Sequence, residues 1–347
     1  KICEKLHEES KKPFWDLNSP QEIIDLVEKL GTAHFAVIGD VMVDSYIYGI
    51  HERMSPEAPV PVVDVGHREE RLGGAANVAL NLKALGAKVT VLSVVGDDDS
   101  GNRLIELLSE KDLNGSQLIQ SKERKTTIKH RVIANDKHLL RVDEERIEDL
   151  STADENALLK KLKEGLEQAS FQAVIFQDYN KGVLTKRLIE EGIKLCNEYD
   201  VFCAVDPKKD HFLVYQKVSL FKPNLKEIIG GLNWQKPTST EEELKSISQA
   251  LQSRIGCDSL LLTLSERGVL FMQGNDLGIL PAMPRNIVDV SGAGDTVLAL
   301  ASASLALGLD IETAAYLSNM AGGLVCEKVG VVPIDKEELI QTILNSN

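Results

Sequence analysis

The stretch DVSGAGDT (289–296) holds the residue types of a phosphate cradle and a base in eight positions. Gly292 and Gly294, with Ala293 between them, let the backbone turn tightly, so that the amides of Gly292, Ala293 and Gly294 can converge on one small space and bind an anion. The Ala- and Leu-rich run that follows, VLALASASLALGL, is of helix length and puts this nest at a helix N-terminus, where the dipole also favours negative charge. A nucleotide phosphate is the natural guest. Asp295 is unfavourable beside it unless it has work to do there. Facing a substrate hydroxyl, it would take up the proton while the cradle stabilises the transferred phosphoryl group, which is kinase chemistry. An acid in the first helical turn is also favourable for the helix alone, so this residue needs its context.

The context is a set of strands that end in acids. FAVIGD (35–40) reads as a buried parallel strand running into VMVD, which leaves Asp40 and Asp44 near its carboxyl end, where α/β folds bind ligands. VTVLSVVGDD (89–98), AVIFQD (173–178), VFCAVD (201–206), SLFKPN (219–224) and SLLLTLS (259–265) repeat the pattern, with helical stretches between. Asp97, Asp178, Asp206 and Asn224 thus stand at strand ends. Such residues also cap helices, but four along one edge favour a cleft. GGAANVALNLKALG (73–86) adds a glycine pair entering a helix.

Residues 45–72 differ in character: Tyr46, Ile47 and Tyr48 are followed by SPEAPVPVVDV, with Pro56, Pro59 and Pro61 in close succession. Proline is confined to edge strands, so this segment is expected to form a small exposed sheet with 126–144, where TTIKHRVIAN and HLLRVD have extended patterning. Together they would make a lid. Upstream, Ser19-Pro20-Gln21-Glu22 has the marks of a helix start, and Gly31 of its end. The expected organisation is an N-terminal helical extension (1–34) and one α/β domain (35–347), a doubly wound sheet flanked by helices with a small inserted β-sheet lid.

The chain of 347 residues carries 39 basic and 53 acidic residues, a net charge of −14, which argues against nucleic-acid and anionic-membrane partners. Cys3, Cys196, Cys203, Cys257 and Cys326 are scattered without a C-x-x-C pair, so neither a zinc site nor a disulfide framework is expected, and a reducing, cytoplasmic location fits. No long apolar run suggests a membrane span or signal peptide.

Two segments more than two hundred residues apart, GGAAN (73–77) and DVSGAGDT, resemble the sugar-binding and D-T-x-G-A-G-D elements of the ribokinase-like (PfkB) sugar kinases, with Ser291 a conservative fit. GDVMVDSYIYG (39–49), SPEAPVPVV (55–63), DYNKG (178–182), DPK (206–208), KPNLKE (222–227) and TLSERG (263–268) are similar to the heptose 7-phosphate kinase branch of that family. The likeness covers about residues 35 to 335, most of the chain. It implies a ribokinase-like fold and ATP-dependent phosphorylation of the C1 hydroxyl of D-glycero-D-manno-heptose 7-phosphate, with Mg²⁺ and in several relatives a monovalent cation such as K⁺. The runner-up is a phosphosugar kinase of the fructose 1-phosphate or tagatose 6-phosphate type.

Carried over residue by residue, the resemblance makes Asp295 the base and the amides of Gly292, Ala293 and Gly294 the anion hole. Asn224 and Glu227 would hold Mg²⁺, partly through water, with Asn224 also on the nucleotide side. Asp44, Gly73, Gly74 and Asn77 would contact sugar hydroxyls, and Asp178, which opens DYNKG, is placed with them. Thr263, Ser265 and Gly268 match the nucleotide-side turn, although the broad family has glycine where Ser265 stands, and Asn319 would lie near adenine. Asp289 and Ser291 match monovalent-cation positions. Lys129, Arg131, Arg141, Lys181 and Lys208 are the candidates for the sugar's phosphate, because a chain of net charge −14 would repel an anionic sugar unless some of them converge.

The H-x-G-H mark of the adenylyltransferase often fused to heptose kinases is absent, so the adenylyltransferase step is expected to need a separate polypeptide. A P-loop kinase would need G-x-x-x-x-G-K-[ST], which is also absent; an NAD enzyme would need G-x-G-x-x-G after the first strand, and GAGDTV has valine at the sixth position near the chain's end. A catalytically dead relative is disfavoured by the joint presence of Asp295, Asn224 and Glu227. The lid strands lack a core of their own, so a homodimer through the lid is expected.

Overall fold

Continuous apolar runs with acids at their ends become parallel strands covered on both faces. The computed structural model describes residues 25–345, apart from Val27, Ala169, Ser170 and Pro284. In chain order its strands are β1 (His34–Gly39), β2 (Val41–Met54), β3 (Pro61–Gly74), β4 (Lys88–Leu92), β5 (Val94–Gly96), β6 (Ile119–Ser121) and β7 (Thr127–Ala134). They continue as β8 (Lys137–Glu144), β9 (Ala173–Gln177), β10 (Phe202–Asp206), β11 (Leu220–Phe221), β12 (Ser259–Thr263), β13 (Val269–Gln273) and β14 (Asp276–Leu280).

The main sheet has the order β14-β13-β12-β11-β10-β9-β1-β4. It is parallel from β4 to β12, and β13 and β14 add an antiparallel edge. One face is covered by the helices Ala75–Ala84, Ala293–Ala306 and Ile311–Val325, and the other by Thr152–Gln168, Lys186–Glu198 and Glu241–Ile255. Two apolar layers so formed explain why β1 and β9 read as unbroken hydrophobic runs rather than alternating ones.

A second sheet, β3-β2-β7-β8, leaves the first at Asp40, since β2 follows β1 after that single residue. The β2 and β7 strands pair in parallel, and β7 and β8 form a hairpin whose two turn residues, Asn135 and Asp136, have φ of 50° and 60°, as a type I′ turn requires. Strand β3 returns to the main sheet at Gly73 and Gly74, directly before the Ala75–Ala84 helix. Both ends of the excursion therefore lie at the carboxyl edge of β1.

The stretch 89–98 departs from expectation. Instead of one strand it breaks at Ser93, which bonds the Gly39 carbonyl, and β5 pairs with β6 in a separate small sheet. Asp97 is consequently exposed away from the main sheet's edge, and Asp98 caps the Asp99–Glu110 helix by accepting from the Gly101 N–H at 2.7 Å. Asp98 thus takes the capping alternative, and Asp97 does not join the cleft edge. The helix start expected at Ser19–Glu22 lies outside the described residues, as does Cys3; Leu26 and Leu30 pack into the core. Cys196, Cys203, Cys257 and Cys326 are free and buried, and among the described residues no helix is long and apolar enough to cross a membrane.

Candidate active site

Asp295 sits in the first turn of the Ala293–Ala306 helix, capped by Gly292 at φ 80°. That left-handed conformation suits glycine, and a β-carbon there would also lie 2.8 Å from Asn77 Nδ2. Gly294 is exposed at the helix start, while Ala293 closes the turn by donating to the Val290 carbonyl at 3.3 Å. The Asp295 side chain is 4% exposed and both its oxygens have a donor: Asn77 Nδ2 at 2.8 Å and the Tyr179 hydroxyl at 2.7 Å. Asn81 Nδ2 in turn donates to the Asn77 backbone carbonyl at 2.9 Å and to its side-chain oxygen at 3.5 Å.

Burial pushes the Asp295 carboxyl up to about 6, against the hydrogen bonds from Asn77 and Tyr179 that favour its charged form. A base with that value is ionised at neutrality and works only when deprotonated. The rate, read as kcat/KM, is therefore expected to rise with pH through about 6 and to level off above it. A pH profile with no loss of rate between neutrality and the ordinary carboxylate range would contradict the role.

Around the cradle stand Lys222, which the sequence did not single out, and Lys208, expected at the sugar's phosphate but placed by the structure on Asp206 and Glu227. Lys222, 2% exposed, pairs with Asp206 at 2.9 Å, and its ammonium lies 3.7 Å from where a β-carbon on Gly294 would stand. Lys208 bridges Asp206 at 3.2 Å and Glu227 at 2.6 Å. Burial opposes the charge of Asp206, but Lys208 and Lys222 outweigh it and hold its carboxyl below the usual range. Glu227 and Asn224 form a reciprocal capping box at 2.8 and 2.9 Å, which starts the Leu225–Leu232 helix. Their oxygens thus already accept bonds, and they fit a Mg²⁺ ion held through its waters rather than by direct ligation. Asn224 is bridged to Thr263, which joins this pair to the turn at 263–268 expected on the nucleotide side. In that turn Ser265 has φ 56° and Gly268 φ 89°, and a β-carbon on Gly268 would lie 2.0 Å from the Leu280 carbonyl. Asn319 donates to the Pro281 carbonyl at 2.9 Å, at the end of β14.

On the opposite side, Asp44 is 3% exposed and accepts from the Arg131 guanidinium. A β-carbon on Gly73 would lie 2.2 Å from the Asp44 carboxylate, and one on Gly74, at φ 61°, would lie 2.3 Å from the Asp40 carbonyl, so both positions need glycine. Lys129 and Arg131 on β7 stand with Lys181 in one electrostatic neighbourhood. Burial lowers the Lys129 ammonium most, Asp44 raises it, and Lys181 and Arg131 lower it further. Lys181 pairs with Glu145 at 2.7 Å, and Arg141, on the exposed rim, pairs with Asp143 at 2.9 Å. Among the described residues Lys129 has no such carboxylate partner.

One expectation is corrected. Asp178 is 1% exposed and turned into the core, accepting from the Tyr215 hydroxyl at 2.8 Å and the Asn180 N–H at 2.7 Å, so it does not line the cleft. Its neighbour Tyr179 reaches the site instead. Asp289 accepts from the N–H groups of Ser291 and Gly330, both at 2.9 Å, and the carbonyls flanking Gly330, of Val329 and Val331, accept from Arg71 at 2.8 and 3.2 Å.

A buried carboxylate at a helix N-terminus thus faces a glycine–asparagine segment at the root of an inserted sheet. The profile of the pfkB family carbohydrate kinases matches residues 32–337. The chain belongs to the PfkB carbohydrate kinase family. Among its relatives, the bifunctional protein HldE of Trichlorobacter lovleyi is 37% identical over 319 residues, covering 92% of this chain and 64% of that protein. The HldE of Coxiella burnetii is 40% identical over 320 residues, covering 91% and 64%. The chain thus spans just under two thirds of the length of these relatives. The fold matches phosphofructokinase-2 from Escherichia coli in complex with potassium (TM-score 0.75, 16% identity, 90% of this chain and 99% of that one). It also matches Arabidopsis thaliana ribokinase complexed with ribose and ATP (TM-score 0.69, 16% identity, 89% and 99%). The PfkB chain is therefore a phosphotransferase of the ribokinase-like fold, and PfkB kinases use ATP with Mg²⁺.

Proposed function

We propose that this kinase transfers the γ-phosphoryl group of ATP to the C1 hydroxyl of D-glycero-D-manno-heptose 7-phosphate, giving the 1,7-bisphosphate in the route to ADP-heptose for lipopolysaccharide. The observation that carries the reading is the grouping of Lys129, Arg131 and Lys181 beside Asp44, across the site from a buried base. The HldE relatives support the same choice of sugar over the fructose 1-phosphate and tagatose 6-phosphate alternatives.

In the mechanism, Asp44 and the backbone at Gly73 and Gly74 accept and fit the sugar hydroxyls, and Asn77 orients Asp295. Asp295 takes the proton of the C1 hydroxyl as the sugar oxygen bonds to the γ-phosphorus and the bond from that phosphorus to the bridging oxygen of ADP breaks. The cradle and Lys222 stabilise the charge on the transferred group. Bound Mg²⁺ would add charge neutralisation on the phosphates, held through water by Asn224 and Glu227. Incubation with ATP, Mg²⁺ and each sugar phosphate, with the products resolved by phosphorus NMR, tests the assignment: heptose 7-phosphate is expected to give a bisphosphate and ADP. Preferential use of fructose 1-phosphate or tagatose 6-phosphate would move it to the runner-up.

The same reading includes a homodimer through the second sheet. Ile50, Met54, Val65, Leu140 and Val142 are exposed on its strands, apolar side chains that a second copy would cover. Sedimentation at micromolar concentration is expected to give a dimer, and Leu140→Asp a monomer. A fully active monomeric wild type would count against it.

A further inference from the structure

Tyr179 has chemistry that the proposed mechanism leaves unused. Its hydroxyl donates to Asp295 at 2.7 Å, and burial together with the Asp295 charge keeps the phenol protonated, well above its usual range. It is an O–H group aimed at the base, the same kind of group that a sugar acceptor presents. The loop that carries it is pinned rather than loose. Asp40, 1% exposed, accepts the N–H groups of Tyr179, Lys181 and Val183 at 2.8, 3.2 and 3.0 Å, a concentration of bonds on one buried carboxylate. Gly182, at φ 80°, lies so close to Glu148 that a β-carbon would meet its carbonyl at 2.0 Å. The ammonium groups of Lys129 and Lys208 lie 5.2 and 5.5 Å from the centre of the Tyr179 ring, one from the second sheet and one from the nucleotide side.

We propose that the Tyr179 hydroxyl is a placeholder for the acceptor: it holds the acceptor's position on Asp295 until a sugar hydroxyl displaces it, and so keeps water from being activated there. The reaction it suppresses is ATP hydrolysis. In that step a water oxygen bonds to the γ-phosphorus, the bond from that phosphorus to the bridging oxygen of ADP breaks, the water's proton passes to Asp295, and ADP and inorganic phosphate leave. Asn77 cannot serve this purpose, because its NH₂ is an amide donor on a fully buried side chain whose oxygen accepts from Asn81 Nδ2 at 3.5 Å. The inference rests on the kinase reading but not on the identity of the sugar.

The test is ADP release from ATP and Mg²⁺ without sugar, measured for wild type, Tyr179→Phe and Tyr179→Phe with Asp295→Asn. Loss of the hydroxyl is expected to raise sugar-independent hydrolysis roughly tenfold, a fraction of the roughly 10²–10⁴ that a positioned base contributes, and the second substitution to abolish the rise. Transfer to sugar phosphate, assayed in parallel, reports on the wider assignment separately. A merely structural Tyr179 would lower hydrolysis and transfer together. Hydrolysis in Tyr179→Phe that is unchanged or lower overturns the placeholder role whatever the sugar proves to be.

Discussion

Asp295→Asn is expected to lose roughly 10²–10⁴ of the transfer rate while nucleotide affinity stays near that of wild type, because the amide keeps size and hydrogen-bonding capacity but cannot accept a proton. The geometry makes this a clean comparison. The substituted amide could still accept from one of the two donors, Asn77 or Tyr179, and its NH₂ group would face the other, so the perturbation falls on two hydrogen bonds at the base and not on the cradle. Some loss of stability from that mismatch is expected and can be separated from catalysis by thermal unfolding with and without nucleotide. Stopped-flow or coupled assays give kcat, and nucleotide titration gives Kd. A variant with near-normal kcat would remove Asp295 as the base, and one that no longer binds nucleotide would point to damage at the cradle rather than lost proton transfer.

What could be read from the sequence was what depends on local chemistry. Gly292 and Gly294 ahead of an apolar helix, apolar runs at β1, β9 and β10, and the proline-rich segment leading into β3 each carry their own reason for the structure they adopt. The strand-end acids were only partly legible. A residue at a strand's end can face the cleft or the core, and packing decides: Asp206 meets two lysines at the site, whereas Asp178 meets Tyr215 and Asp97 follows a strand that left the sheet at Ser93. Tyr179 and Lys222 lie inside DYNKG and KPNLKE, but nothing local marked either as a site residue. Their partners, Asp295 and Gly294 for one and the other, are distant in sequence, and a tyrosine or lysine after a strand is ordinarily surface. In Tyr179 the adjacent Asp178 even drew attention away, since neighbours on an extended segment point to opposite sides.

The second large effect concerns the phosphate on the sugar. Lys129 is half-buried and without a carboxylate partner among the described residues, close to Arg131 and Lys181, which are paired with Asp44 and Glu145. Such a cation is costly unless an anion reaches it, and a protein of net charge −14 has no general attraction for one. A sugar phosphate would supply the missing partner through charge-assisted bonds. Lys129→Ala is therefore expected to lower kcat/KM for heptose 7-phosphate about 30-fold or more, the effect of losing about 2 kcal/mol from one partner of a buried charge pair. The same substitution should leave the rate with unphosphorylated heptose little changed, since that sugar has nothing for Lys129 to bind. The most direct measurement is kcat/KM for heptose 7-phosphate and for heptose on one preparation of wild-type enzyme. The phosphate pocket predicts a preference of roughly 10³-fold or more for the phosphorylated sugar, as a site built for a charged group rejects the analogue lacking it; equal values for the two sugars would contradict it.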